Sequence, residues 1–174
     1  DTSNANFSMV QPTIAVISPN GGERWIIGSS QAITWASANL TGNVKIELST
    51  DGGSTFPTVI SASTANDGSQ PWTVIGPAGT SARIRITSLA IPTLSDMSNA
   101  NFTIIQPTIT VIVPNGGESW LIGSSQNIQW TSSNVSGNVK IDLSSDGGAT
   151  FPTTLFASTS NDGMEQWTVA GSAG

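Results

Sequence analysis

A repeat with a spacing of 95 residues constrains the fold of this chain more than any other feature of its sequence. The run Ser-Asn-Ala-Asn-Phe at 3–7 recurs at 98–102, and the run Pro-Asn-Gly-Gly-Glu at 19–23 recurs at 114–118. Residues 1–79 align with residues 96–174 without a gap, and 53 of the 79 positions are identical. A unit of this size matches one β-sandwich domain of about 100 residues. It is far too long for a solenoid repeat or a propeller blade.

The composition and the local pattern of each unit predict strands. Charged residues make up 9% of the chain, against about 25% in ordinary domains. Ser, Thr and Asn take their place, and these residues disfavour helix interiors. Apolar and polar residues alternate with a period of two, as in half-buried strands. The predicted strands of one complete unit are 13–18, 23–27, 32–35, 44–48, 56–61, 72–75, 83–87 and 101–105. This pattern predicts an all-β fold of tandem immunoglobulin-like β-sandwich repeats.

The phase of the repeat predicts how the units are arranged along the chain. Residues 1–10 match the end of a unit and are expected to be an orphan final strand of a preceding repeat. Residues 11–105 form a complete repeat, and residues 106–174 form a second repeat that lacks its last strands, because 80–95 has no counterpart there. Such a repeat exposes sheet edge and apolar core. Either the sequence is a window on a longer array of repeats, or another chain completes the second repeat.

The second alternative identifies a strand-exchange segment. Asn6, Phe7 and Met9 belong to the orphan strand. In trans this strand would complete the second repeat of another copy, which gives a head-to-tail homopolymer. The partners expected from the sequence are therefore other copies of the chain or further repeats of the same chain.

The three Trp residues of each unit allow two interpretations. Trp25, Trp35 and Trp72 are expected to anchor the core, since Trp35 lies in an alternating pattern that points it inward. The alternative is an exposed platform on which a sugar stacks. On the other face of the strands, Lys45 and Glu47 are predicted to face water, and Arg83 and Arg85 are predicted to form an exposed stripe.

A Ser-x-Asp-Gly-Gly-x-Thr-Phe motif contains Asp51 and recurs with Asp146. It is similar to the Asp-box of sialidases and related propellers, but its copies lie a whole repeat apart instead of one blade apart. A hairpin turn explains it: Asp accepts backbone N–H groups, the glycines adopt positive φ, and the aromatic ring packs beneath. Oxygen ligands from Asp51, Asp67 and Asp96 would suit Ca²⁺, yet no segment has the dense Asp pattern of a calcium loop. No metal or other cofactor is predicted.

Four sites match the N-glycosylation pattern Asn-x-Ser/Thr. They begin at Asn6, Asn39, Asn101 and Asn134. In a chain so rich in Ser, Thr and Asn, some matches arise by chance. Glycan attachment requires a host that has the machinery.

Several functional classes are disfavoured by the residue inventory. The chain has no His and no Cys, so the usual general base and thiol nucleophile are absent. The few carboxylates lie in turns or on strand faces without a cleft-forming insertion, and no enzymatic activity is predicted. A net charge of −6 argues against nucleic acid and anionic membranes as partners. No apolar run approaches the roughly 20 residues of a membrane span.

The ordered set of motifs resembles a known family. The motifs are Pro-Asn-Gly-Gly-Glu-x-Trp at 19–25, Gly-Ser-Ser-Gln-x-Ile-x-Trp at 28–35, Gly-Asn-Val-Lys-Ile-Glu-Leu at 42–48 and Asn-Asp-Gly at 66–68. They resemble the Ser/Thr-rich, GPI-anchored-protein and fungal cell-wall-synthesis type of repeat, which also occurs in tandem in bacterial and archaeal surface proteins. The resemblance implies an extracellular or cell-surface immunoglobulin-like module without catalytic residues.

Together these features predict a structural repeat of an extracellular filament, stalk or surface layer. The alternative is an adhesin or carbohydrate-binding module attached to a larger secreted protein. An exposed aromatic strip would favour the alternative, whereas three buried Trp residues in the complete unit would favour the structural role.

Overall fold

The computed structural model describes residues 5–171, and all regular secondary structure in this range is β-strand. The chain divides into two compact units, one ending at Gln106 and one beginning at Pro107. The predicted all-β sandwich class is confirmed.

Between residues 5 and 106 the first unit contains nine strands in two sheets. The first sheet has the order β1-β3-β6, and the second has the order β2-β9-β7-β4-β5, with β8 pairing to β7. The strands are β1 Thr13–Ser18, β2 Arg24–Ile26, β3 Ser30–Ala38, β4 Val44–Ser49, β5 Thr58–Thr64, β6 Ser69–Thr73, β7 Gly79–Ser88, β8 Ser95–Met97 and β9 Phe102–Ile105.

The core of the first unit lies between the two sheets. Alternate residues of β4 and β7 point inward, which is the period of two that the sequence predicts. Trp25, Trp35 and Trp72 are all buried in this core, as expected. The other buried apolar residues are Ile14, Val16, Ile33, Val44, Ile46, Leu48, Val74, Ala82, Ile84, Ile86, Phe102 and Ile104.

One pairing in the second sheet is parallel. Strand β2 lies beside β9 with Arg24, Trp25 and Ile26 opposite Thr103, Ile104 and Ile105. All other strand pairs of the first unit are antiparallel within the described residues. The early part of the unit is therefore joined directly to its last strand.

The second unit has five strands at positions that correspond to β1, β3, β4, β5 and β6. They are β10 Thr108–Val113, β11 Ser125–Ser133, β12 Val139–Leu143, β13 Thr153–Thr159 and β14 Met164–Thr168. Strands β10-β11-β14 form one sheet, and β12-β13 form the other. Between Pro107 and Gly171 no strand corresponds to β2, β7, β8 or β9.

Several details differ from the sequence predictions. Strand β8 was not predicted, and β6 begins three residues before the predicted 72–75 segment. Glu47 was predicted to face water and is only 5% exposed, because Arg85 of the neighbouring β7 and Lys45 cover it. Arg83 and Arg85 are half-buried and bonded rather than an exposed stripe. The strand parity was right, but long side chains cover this outer face.

Candidate functional site

The most distinctive surface of the molecule is the uncovered inner face of the second unit. We call it the open face, and it consists of Ile109, Val111, Trp120, Ile128, Ile141, Leu143 and Trp167. A groove of about 340 Å³ lies over it, with Pro114, Phe151 and Leu155 also in its wall. In the first unit the corresponding surface is packed core.

Equivalent residues measure how open this face is. Ile14 is 8% exposed, whereas Ile109 at the same position of the second unit is 52% exposed. Trp25 is buried against Phe102, with ring centroids 5.2 Å apart. Trp120 retains the contact with Trp167, at 6.2 Å, but no residue between Pro107 and Gly171 takes the place of Phe102. Within residues 107–171 this face is therefore only partly covered.

The turn at residues 115–118, which we call the rim of the open face, keeps the backbone shape of the equivalent turn at residues 20–23 in the first unit. Asn115 and Gly116 donate their backbone N–H groups to the carboxylate of Glu118, each at 2.8 Å. Asn20 and Gly21 make the same bonds to Glu23 in the first unit, at 2.7 and 2.8 Å. These backbone donors, that from Asn115 first, hold the pKa of Glu118 below its usual value. The turn therefore forms from local interactions and does not require a neighbouring strand.

In the first unit the equivalent backbone is hydrogen-bonded to the last strand and the residue before it. Gly22 donates its N–H to the carbonyl of Asn101 at 2.9 Å, and Thr103 donates to the carbonyl of Glu23 at 2.8 Å. Ile27 donates to the carbonyl of Ile105 at 2.9 Å. In the second unit, no backbone partner for the equivalent groups of Gly117, Glu118 and Ile122 occurs within the described part of the chain.

Glycine makes close approach to this ladder feasible. A Cβ on Gly21 would lie 2.6 Å from the Cβ of Ala100, so only Gly fits against that strand. Around Gly116, the equivalent residue, there is no heavy atom within 4 Å of such a Cβ. The space that Ala100 fills in the first unit is open in the second.

The segment from Ala5 to Val10 is identical to residues 100–105 at three of six positions but does not share their structure. Phe7 is 79% exposed and Met9 is 88% exposed, whereas Phe102 and Ile104 at the equivalent positions are 0% and 1% exposed. Residues 5–10 belong to no strand, and Asn6 is exposed. Asn6, Phe7 and Met9, the predicted strand-exchange residues, are exposed, and the exchange itself stays a prediction.

The Asp51 and Asp146 motifs form the turns between β4 and β5 and between β12 and β13. Asp51 accepts hydrogen bonds from the Ser49 hydroxyl at 2.6 Å and from the N–H of Thr55 at 2.9 Å. Gly52 and Gly53 adopt φ of 77° and 91°. Hydrogen bonds from Ser49 and then Thr55 strongly lower the pKa of Asp51, and Ser144 and Thr150 do the same for Asp146. Both carboxylates stabilise the turns in which they lie.

The structure does not bring the three calcium-candidate carboxylates together. Asp96 accepts the N–H of Val16 at 2.8 Å, and Asp67 accepts that of Ser69 at 3.2 Å. No cluster of three or more His, Cys, Asp or Glu residues suited to a metal ion is found among residues 5–171.

The four glycosylation-pattern residues have different environments. Asn39 and Asn134 are exposed in loops with φ of 53° and 56°, a conformation that Asn tolerates better than other residues with side chains. Asn6 is exposed, whereas half-buried Asn101 accepts a hydrogen bond from Arg83 Nε at 2.7 Å.

Sequence reasoning missed a polar clamp present in both units. Trp35 Nε1 and the Ser37 hydroxyl both donate to Asn66 Oδ1, at 2.8 and 3.1 Å. Trp130, Ser132 and Asn161 repeat this geometry. The signal was the Asn of the Asn-Asp-Gly run, which the sequence analysis used only as a motif of the resemblance.

A second missed feature is a charged network on the outer face of β4 and β7. Glu47 accepts from Lys45 at 2.6 Å and from Arg85 at 2.8 Å, and the Arg85 guanidinium lies 4.1 Å from the ring centre of Phe56. Burial raises the pKa of Glu47, but the hydrogen bonds from Lys45 and Arg85 outweigh it, so the net shift is downward. The network links β4 to β7 and to Phe56, which follows the turn after β4.

Comparison with known proteins adds little to these observations. Within residues 5–171 no helix is present that could cross a membrane. No protein-family model matches the chain, and no curated protein is significantly similar to it. Among solved structures, the fibronectin(III)-like modules of Clostridium thermocellum CbhA are similar to it at 17% identity, over 91% of this chain and 80% of that chain, with a TM-score of 0.33. At this TM-score the likeness carries no argument about function, and the fold assignment depends on the strand topology itself.

Proposed function

We propose that this chain is a load-bearing structural module of an extracellular filament, stalk or surface layer, joined end to end with other modules. The single observation that carries the proposal is the parallel pairing of β2 with β9. The chain enters the first unit just before β1 and leaves it just after β9. Tension between these two points is therefore borne by the β1–β3 pair, which lies nearest the entry point, together with the parallel β2–β9 pair, whose strands it pulls in opposite directions along their length.

This geometry determines how the unit resists force. Three residue pairs and the flanking backbone hydrogen bonds of Gly22 and Ile27 lie across the loaded ladder. Because the load runs along the strands, these bonds must break together instead of one after another. An antiparallel hairpin pulled open at one end would lose its hydrogen bonds singly.

The side chains of the first unit support a structural role over a binding role. Its three Trp residues lie in the core, so none forms an exposed stacking platform for a sugar. Glu47, Asp51 and Asp96 each accept hydrogen bonds from groups of the same unit. The extracellular location is proposed from the uncharged polar composition and the resemblance to surface-protein repeats.

Pulling single molecules from two directions tests the proposal. The chain lacks Cys, so Gln11→Cys and Gln106→Cys provide unique handles that load the β2–β9 ladder in shear. The matched control uses Thr41→Cys and Ala65→Cys, which flank the Val44–Thr64 end of the β4–β5 pair and open it like a zipper. We expect a clearly higher rupture force from the first pair of handles. Equal or lower force would contradict a load-bearing role.

A further inference from the structure

We infer that a pocket on the outer face of β7 and β8 binds a uronic acid ring of an acidic polysaccharide, with Arg85 as the donor to its carboxylate. The pocket lies in the first unit, beside the Asp51 hairpin, and its volume is about 380 Å³, as in small-molecule sites. Its wall consists of Gly53, Phe56, Arg85, Ser95, Asp96 and Met97. This inference goes beyond the load-bearing role and does not depend on it.

Arg85 is held in position and still has a donor to spare. Its Nε and Nη2 donate to Glu47 Oε2 at 3.2 and 2.8 Å, and its guanidinium lies 4.1 Å from the ring centre of Phe56. Its third nitrogen, Nη1, has no acceptor among the described residues, and the side chain is 37% exposed. Because Glu47 and Phe56 already fix the guanidinium, a charge-assisted bond from Nη1 to a carboxylate costs little side-chain entropy.

Ser95 and Asp96 supply the groups that sugar hydroxyls require. Asp96 Oδ2 accepts the N–H of Val16 at 2.8 Å, whereas Oδ1 has no donor within residues 5–171. The Ser95 hydroxyl likewise makes no hydrogen bond to the described part of the chain. A hydroxyl can donate and accept, and a carboxylate oxygen accepts. Together with Arg85 they match a ring that carries both hydroxyl groups and an acid.

The rest of the wall is apolar. Met97 is 39% exposed, and Phe56 is half-buried beside Arg85, so both can cover the C–H groups of a sugar ring. Gly53 has φ of 91°, and a Cβ there would lie 3.2 Å from both Arg83 Cδ and Met97 Sδ. Glycine therefore allows the hairpin to lie against Met97 and to close one side of the pocket.

The charges around the pocket favour a sugar acid over an acidic peptide. Three cations and three carboxylates lie on its wall or next to it, namely Lys45, Arg83, Arg85, Glu47, Asp51 and Asp96. These charges balance, and the whole chain has a net charge of −6, so a polyanion gains no general attraction. Binding must then come from directed hydrogen bonds, and only a ligand that also carries hydroxyl groups can use Ser95 and Asp96.

Calorimetric titration tests the inference with trimers of galacturonic acid and of glucuronic acid. We expect at least one of them to bind, and the neutral galactose and glucose trimers to bind far more weakly. Arg85→Gln should lower the affinity by about tenfold or more, because a hydrogen bond between charged groups is lost. The matched control is Arg24→Gln, which removes the same charge from an exposed residue outside the pocket wall and should leave the affinity unchanged.

A second pair of variants leaves the Arg85–Glu47 contact intact. Met97 lies opposite Arg85 in the β7–β8 pair. Met97→Glu puts a carboxylate of the chain into the pocket and should abolish binding of the sugar acid, whereas Met97→Leu should bind about as well as the unsubstituted chain. Thermal unfolding of each variant shows whether the first unit is still folded.

Several results would overturn the inference. They are no binding of either acidic trimer, equal binding of the neutral trimers, and undiminished binding by folded Met97→Glu. An equal loss of affinity in Arg24→Gln would reduce the effect to net charge. Equal binding of an oligoglutamate peptide would show that the hydroxyl groups play no part.

Discussion

Residues 24–26 and 119–121 occupy the same place in two units of closely similar sequence, yet only the first segment is a strand. Both contain Trp in the middle, and the turn before them is fastened in the same way by Glu23 and Glu118. The difference is the partner, since β2 pairs with β9 and residues 119–121 have no such neighbour within the described range. The turn is thus a product of local chemistry, while the short strand is a product of a contact about 80 residues away along the chain.

The comparison is tested most strongly by truncating the same residue type in the two copies of the last-strand sequence. Phe102→Ala should lower the free energy of unfolding of the first unit by about 3–5 kcal/mol, because it leaves a cavity against Trp25. Phe7→Ala should change it by less than about 0.5 kcal/mol, since Phe7 is exposed. Urea unfolding followed by tryptophan fluorescence measures both. Equal effects would contradict the structural difference between the two segments.

The opposite sheet offers a second matched pair. Ile14→Ala should lower the free energy of unfolding of the first unit by about 2–4 kcal/mol. Ile109→Ala should lower that of the second unit by less than about 1 kcal/mol, because its side chain is already half exposed. The same titration, performed at several protein concentrations, provides the values. A larger loss at Ile109 would mean that the open face is covered in solution.

Removal of the polar clamp should lower the free energy of unfolding by a similar amount in both units. Asn66→Ala removes the acceptor of Trp35 Nε1, and Asn161→Ala removes that of Trp130 Nε1, both at 2.8 Å in buried surroundings. Each substitution should cost about 1–3 kcal/mol, since a buried N–H loses its partner. Thermal unfolding of the two variants gives the comparison. A difference of more than about twofold would show that the clamp depends on the second sheet.

The smallest expected effect concerns Glu47 and acid. Its pKa is lowered on folding by Lys45 and Arg85, so its contribution is present above the unfolded value near 4.5 and is lost as pH falls below it. Glu47→Gln should cost about 1 kcal/mol at pH 7 and should flatten the decline in stability below about pH 4.5. Unfolding measured across pH 2–7 decides this. An unchanged decline would assign the acid sensitivity to the other carboxylates whose pKa is lowered, namely Asp51, Glu118, Asp142 and Asp146.

Much of the fold could be predicted from local pattern. The alternation of apolar and polar residues in β1, β4 and β7 predicted which side chains face the core, and the turn residues predicted the position of the Asp51 hairpin. Strand β8 was not predicted because its three residues, Ser95, Asp96 and Met97, are too few to show an alternation of apolar and polar side chains. The burial of Glu47 escaped because it depends on Arg85, which lies 38 residues away.

The candidate site was partly predictable for the same reason. The repeat indicated which strands the second unit would lack and which segment could replace one of them. It could not show that the Glu118 turn keeps the shape of the Glu23 turn without a neighbouring strand, or that no heavy atom lies within 4 Å of a Cβ placed on Gly116. Those features depend on three-dimensional packing.

Amide hydrogen exchange at Gly117 and Ile122 tests the central claim most directly, namely that a partner strand determines the difference between the units. Their counterparts Gly22 and Ile27 donate to β9 or the residue before it and should be protected. Gly117 and Ile122, whose N–H groups have no backbone acceptor within residues 107–171, should exchange far faster. Equal protection of all four amide groups would contradict the account.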